Sequence, residues 1–139
     1  MEKSSSTKKM GCHLMLEGGP MKQVDTAFLL EQLRRFSSER EWDQFHNPKN
    51  LVMALSGECG ELSEIFQWLT PDQSTRLSEN PKAFEHVQEE IADIFLYLLR
   101  ICDKLNIDLD QAARDKLLKN EQKYPVDKAK GSAKKYTDF

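Results

Sequence analysis

Apolar positions recur along most of this chain every three or four residues, the period of a helix with one face against a core. Phe28, Leu29, Leu33 and Phe36 keep that spacing behind Asp25 and Thr26, either of which can cap a helix, and predict a first helix ending near Arg40. Glu41 to Asn47 interrupts the pattern with a connector rich in aromatic groups. Asn47 followed by Pro48 is a strong start signal, because proline suits the first helical position, where its missing N–H goes unnoticed. The second helix is expected to run to about Trp68 and to stop before Pro71. A polar loop is expected from Asp72 to Pro81 and a third helix from Lys82 to Leu105. After Asn106-Ile107-Asp108, a fourth helix is expected from Leu109 to Lys123, closed by Tyr124-Pro125 because a residue before proline avoids the α region. Lys128 to Phe139 reads as a polar tail, and no segment alternates as a strand. Four amphipathic helices with short connections predict an all-α, four-helix bundle.

The same periodicity puts carboxylates in unexpected places. At 100° per residue, Leu51, Leu55, Leu62, Ile65 and Leu69 form the apolar stripe of the second helix. Glu58 falls inside that stripe, and Glu61 sits on its edge. On the third helix the stripe is Val87, Ile91, Ile94, Leu98, Ile101 and Leu105, with Glu90, Asp93 and Tyr97 along one flank. Four acids beside buried faces repel one another and lose water, at high cost unless a cation compensates. Magnesium suits them, since it takes oxygen ligands and keeps room for waters and phosphates. No histidine lies three residues after a carboxylate on either helix, which argues against a di-iron carboxylate bundle. The other reading is an ordinary solvated face: a single E-x-x-E means little in a chain this rich in Glu, and Glu64, Glu85 and Glu89 read that way.

Two further groups invite a ligand. Lys116, Asn120 and Lys123 follow one face of the fourth helix and could hold phosphate oxygens beside a metal, or simply reach into water. Trp42, Phe45 and His46 precede the second helix and Trp68 stands at its far end. They could stack on a nucleobase or close a small core.

Composition narrows the classes. A length of 139 residues suits one domain, and a net charge of −3 argues against a general nucleic-acid binder. No apolar run reaches membrane-spanning length, and the N-terminus lacks a signal-peptide core. Three cysteines without C-x-x-C spacing point to a reduced, cytoplasmic protein. Residues 1–23 carry Ser4-Ser5-Ser6, Lys8-Lys9 and Gly18-Gly19-Pro20, and are expected to be a disordered leader or the remnant of an upstream fusion. Cys12 and His13 there are too few to hold a metal.

With these residues in view, Gly57-Glu58-Cys59-Gly60-Glu61-Leu62 followed by Glu90-Ile91-Ala92-Asp93 resembles the E-x-x-E…E-x-x-D signature of the MazG-like all-α nucleoside triphosphate pyrophosphatases. Glu41-Trp42-Asp43-Gln44-Phe45-His46, with Pro48 and Asn50, is similar to the base-binding segment of the dCTP pyrophosphatase group. Phe66-Gln67-Trp68, Tyr97, Lys116, Asn120, Tyr124-Pro125 and Lys135-Tyr136-Thr137 also match that group's pattern. The resemblance implies a catalytic helical domain over 24–126 and a polar tail over 127–139 that can close the site. It implies Glu58, Glu61, Glu90 and Asp93 as ligands of one or more Mg2+ ions, with Mn2+ as a substitute. It implies nucleotide contacts from Trp42, Asp43, Gln44, Phe45, His46, Trp68 and Tyr97, beside the phosphate contacts read for Lys116, Asn120 and Lys123. Glu61, the more peripheral of its pair, is the expected catalytic residue, orienting or deprotonating water. The implied reaction turns nucleoside triphosphates, dCTP among them, into monophosphate and pyrophosphate, as nucleotide-pool house-cleaning by a homotetramer built as a dimer of dimers. One position departs from the group: a substrate-holding histidine of the first helix is Leu33 here, which implies weaker base selection. The alternatives are a pyrophosphohydrolase for dUTP, a modified nucleotide or a phosphoribosyl compound, and a non-catalytic metal-binding or interaction module. No nucleic acid or membrane partner is expected.

Overall fold

The structure, a computed structural model, describes residues 23–139. The leader reading and the Cys12–His13 pair lie outside the described residues. The first helix, α1, is Thr26–Glu39, and Asp25 caps it by accepting the Phe28 N–H at 2.9 Å. A 3-10 turn at Trp42–Gln44 leads to α2, Pro48–Phe66, capped by Asn47 with Pro48 in the first turn. The long helix α4, Pro81–Leu105, takes the same Asn–Pro start at Asn80 and Pro81. It ends at Asn106, whose φ of 53° lies in the left-handed region that asparagine tolerates. Asp108 caps α5, Leu109–Lys123.

Two stretches expected to be irregular are partly helical. Residues Pro71–Thr75 form α3, opened by a reciprocal capping box between Thr70 and Gln73. A 3-10 turn at Leu77–Glu79 follows and rests on α4. Periodicity cannot register a five-residue helix, but its start signal, Thr-Pro-Asp-Gln, was present in the sequence. In the tail, Val126–Ala129 form α6 and Tyr136–Asp138 a 3-10 turn. Tyr136 and Phe139 then meet Tyr124 edge to face, with ring centroids 5.8 and 6.1 Å apart, so the tail folds back on the end of α5.

The core lies where α1 and α2 pack on α4. Leu51, Val87, Leu99, Ile101 and Cys102 are its buried apolar residues. The stripe expected on α4 is corrected in two places: Ile91 and Leu105 are about half exposed, while Leu99 and Cys102 are buried. The cause is that α4 has two neighbours. From Leu99 to Cys102 four consecutive residues are buried, which at 100° per residue encloses the whole circumference rather than one face. The fourth long helix behaves differently. It buries no residue, leaves Leu117 and Leu118 exposed, and packs extensively on no other described element. Among the described residues no helix is long and apolar enough to cross a membrane.

Candidate active site

The connector between α1 and α2 is a sharp reversal. Glu41 adopts a φ of 54°, a strained value for a residue with a side chain, and it ends the run of α1. Gln44 donates its side-chain amide to the Glu41 carbonyl at 2.9 Å, and Asn50 on α2 donates to the Phe45 carbonyl at 3.0 Å. Trp42 is thereby turned back onto α1, edge to face with Phe36 at 5.7 Å and with His46 at 6.1 Å. The His46 Nδ1 lies 2.9 Å from the hydroxyl of Ser37, a buried α1 residue. Burial holds the His46 imidazole below its ordinary pKa, with the charges of Arg100 and Lys104 adding to this and that of Asp43 opposing it. This favours the neutral ring, in which one nitrogen donates and the other accepts; Nδ1 is engaged by Ser37 and Nε2 is left for a ligand.

These residues wall a cleft of about 410 Å³. Leu29, Leu33 and Phe36 of α1 line one side, Trp42 and His46 the connector side, and Leu51, Leu96 and Tyr97 the apolar back. Glu58 of α2 and Asp93 of α4 bring acid to it. An apolar slot with a few convergent polar groups is the usual form of a small-molecule site. Burial, and then the charges of Glu58 and Asp93, push the Tyr97 phenol above its ordinary pKa, so it remains a hydrogen-bond donor.

The acids meet at the cleft's polar end. Glu58, Glu90 and Asp93 each place a carboxylate oxygen within 4.8 Å of the others. Glu90 is 5% exposed. One of its oxygens contacts His86 Nε2 at 3.0 Å, while Oε2 is buried without any hydrogen-bond partner. Burial pushes the Glu58 carboxyl above its ordinary pKa, and the nearby charges of Glu61, Asp93 and Glu90 push the same way. A buried carboxylate oxygen with no donor, among like charges, is an arrangement a hard cation completes. The all-oxygen donor set fits Mg2+. Glu61 is exposed and stands outside this trio, though close enough for its charge to act on Glu58.

The profile of the MazG-like family matches residues 53–139, a span that holds all four acids. The chain belongs to the MazG-like family. This MazG-like chain is 44% identical over 114 residues to dCTP pyrophosphatase 1 of Mus musculus, covering 79% of this chain and 67% of the relative. The Homo sapiens dCTP pyrophosphatase 1 is 40% identical over the same length and shares. A crystallographically solved pyrophosphatase from Archaeoglobus fulgidus DSM 4304 has a TM-score of 0.67 to it at 42% identity, covering 75% of this chain and 95% of that one.

Within one chain of this MazG-like protein, Trp42, His46, Glu58, Asp93 and Tyr97 come together at the cleft, with Glu90 behind Glu58 and Asp93. Other candidates stand elsewhere. Trp68 is 85% exposed, and Phe45 also faces out. Gln44 is engaged with its own backbone turn, and Asp43 with Arg100 and Lys104. On α5, Lys116, Asn120 and Lys123 line no part of the cleft, and the Lys123 ammonium sits 4.8 Å over the Tyr136 ring. Three residues went unread in the sequence. His86 lies four positions before Glu90, a spacing that brings the two side chains together on one helix face. Arg100 interrupts an apolar run, a visible anomaly. Ser37 carried no signal.

Proposed function

We propose that this chain is a magnesium-dependent nucleoside triphosphate pyrophosphatase that releases monophosphate and pyrophosphate, with dCTP among its substrates. The observation that carries this reading is that Glu58 and Asp93 belong to two features at once, the acid trio and the wall of the aromatic cleft. A base seated in the cleft thus has its phosphates beside the acids. Trp42 offers a flat surface, and His46, its Nδ1 taken by Ser37, offers Nε2 to the base edge. Tyr97 donates its phenol proton toward the sugar or phosphate. Glu58, Glu90 and Asp93 would hold Mg2+, which, when bound, neutralises phosphate charge and makes water more acidic. Glu61, exposed beside them, orients the attacking water and takes its proton.

The second part of the reading concerns assembly. A helix as exposed as α5, with Leu117 at 64% and Leu118 at 59%, leaves apolar surface that a second copy would cover. We read the working form as a homotetramer, a dimer of dimers, in which the bundle is completed between chains. Lys116, Asn120 and Lys123 then serve a neighbouring copy's site. The free thiols of Cys59 and Cys102 suit a reducing compartment such as the cytoplasm, where removal of unwanted nucleotides is the fitting role.

The test is pyrophosphate release from the four common dNTPs and CTP, with Mg2+ and then with chelator. Release from dCTP that stops on chelation supports the reading. No release from any nucleotide, with the chain folded and Mg2+ present, sinks it.

A further inference from the structure

Arg100 is 4% exposed and sits between buried Leu99 and Ile101 on α4. Its Nη2 donates to Asp43 of the connector, and its Nη1 donates to Asp103 at 2.6 Å. Its Nε is buried with no partner. Stability alone is a poor reason for this placement. A buried ion pair is often no better than a well-packed apolar side chain, and an unpaired buried N–H costs free energy outright. Each carboxylate also has a second cation: Lys104 reaches Asp43 at 3.3 Å, and Arg34 of α1 bonds Asp103. Lys104, also on α4, meets Asp43 from a more exposed position; what Arg100 adds is the buried link from α4, the helix bearing Glu90 and Asp93, to the turn bearing Trp42 and His46, made from a residue that itself borders the cleft. That turn begins at the strained Glu41 and is only three helical residues long, so it needs an external anchor.

We infer that Arg100 is a positioning residue that grips Asp43 and so fixes the Trp42–His46 wall at its working distance from the acid trio. Asp43 is then a strut, and not a nucleotide contact. The inference rests on the cleft being the base site.

Arg100→Met removes the grip yet strands neither carboxylate, and Asp43→Ala removes its acceptor from a half-exposed position while Arg100 keeps Asp103. Each should raise KM for every nucleotide about tenfold, since the shared wall is displaced, and change kcat by less than about threefold. Mg2+ affinity, titrated by calorimetry without nucleotide, should stay within about twofold. The double variant should be no worse than the poorer single. Unchanged KM in both singles, additive losses, or a parallel fall in Mg2+ affinity overturns the inference. Amide exchange decides it independently of catalysis: the Phe45 and His46 amides, both bonded to the Trp42 carbonyl, should exchange faster in both variants while α2 amides do not. Equal exchange at those amides refutes the strut even if wild-type protein cleaves no nucleotide. Faster exchange with no wild-type pyrophosphate release leaves the strut standing and removes only the pyrophosphatase reading.

Discussion

Replacing Glu90 with glutamine should reverse the order of stability between the metal-free and metal-loaded protein. Without metal, Glu58, Glu90 and Asp93 hold like charges within 4.8 Å. At that separation two charges repel by about 1 kcal/mol in water and about 3.5 kcal/mol at an effective dielectric of roughly 20. Glu90 is buried, but Glu58 is half-buried and Asp93 exposed, so screening keeps each pair near the lower figure. Glu90→Gln removes two of the three pairs, about 2 kcal/mol in all. The amide keeps an oxygen for His86 and the shape of the side chain. For a domain of this size the gain corresponds to a metal-free Tm roughly 8 °C above wild type. Magnesium at a hundredfold over its Kd stabilises the wild type by about 2.7 kcal/mol, and the variant by far less. Scanning calorimetry in chelator and in Mg2+ would therefore show the two proteins exchanging rank. If the metal-free variant melts below wild type, and Mg2+ raises both equally, the trio is not a metal site.

Glu58→Gln and Asp93→Asn should each abolish nearly all pyrophosphate release while the helical circular dichroism persists; wild-type turnover in either would contradict the assignment. Trp42→Ala should raise KM for every base, and His46→Ala should narrow the differences between bases. Because Leu33 adds no polar group to the cleft wall, at least one dNTP besides dCTP should show kcat/KM within about tenfold of it, roughly 1.4 kcal/mol, and a preference for dCTP of several hundredfold would refute this. Stability should fall in acid for a specific reason. The Arg34 hydrogen bond holds Asp103 below its ordinary pKa against the opposing effect of burial, with the charges of Arg34 and Arg100 helping. A carboxylate lowered on folding stabilises fully above its unfolded pKa and loses this as pH falls through the folded one. Asp103→Asn should flatten the acid limb of Tm against pH, and an unchanged limb would count against the Arg34–Asp103 link. Light scattering at micromolar concentration should report a tetramer, and Leu117→Glu should split it; a monomeric wild type would leave α5 unexplained.

Helix starts were legible because they rest on local chemistry. Asn47-Pro48 and Asp25 announced α2 and α1 without reference to the rest of the chain. The acids were legible because Glu58 falls inside an apolar stripe and Glu90 and Asp93 flank another. What escaped depended on how many neighbours a helix has. One stripe per helix was the wrong rule for the end of α4, where α1 and α2 leave no solvent face and Arg100 is enclosed with its apolar neighbours. The roles of Asp43 and Ser37 were hidden for a related reason. Their partners, Arg100 and His46, lie 57 and 9 residues away, and only the fold brings them within reach.

The cleft draws one wall from a single stretch, from Leu29 to His46, whereas its back, Leu51, Leu96 and Tyr97, and the acids come from α2 and α4. On the proposed reading, part of base preference then rests on a segment separate from the one that carries the acids. A relative's first helix and connector could be transplanted onto this scaffold to change which nucleotide is accepted without disturbing turnover. Such a graft would fail if it lacked an aspartate at position 43 to meet Arg100 of the recipient helix, since a transplanted wall needs its mooring as well as its surface.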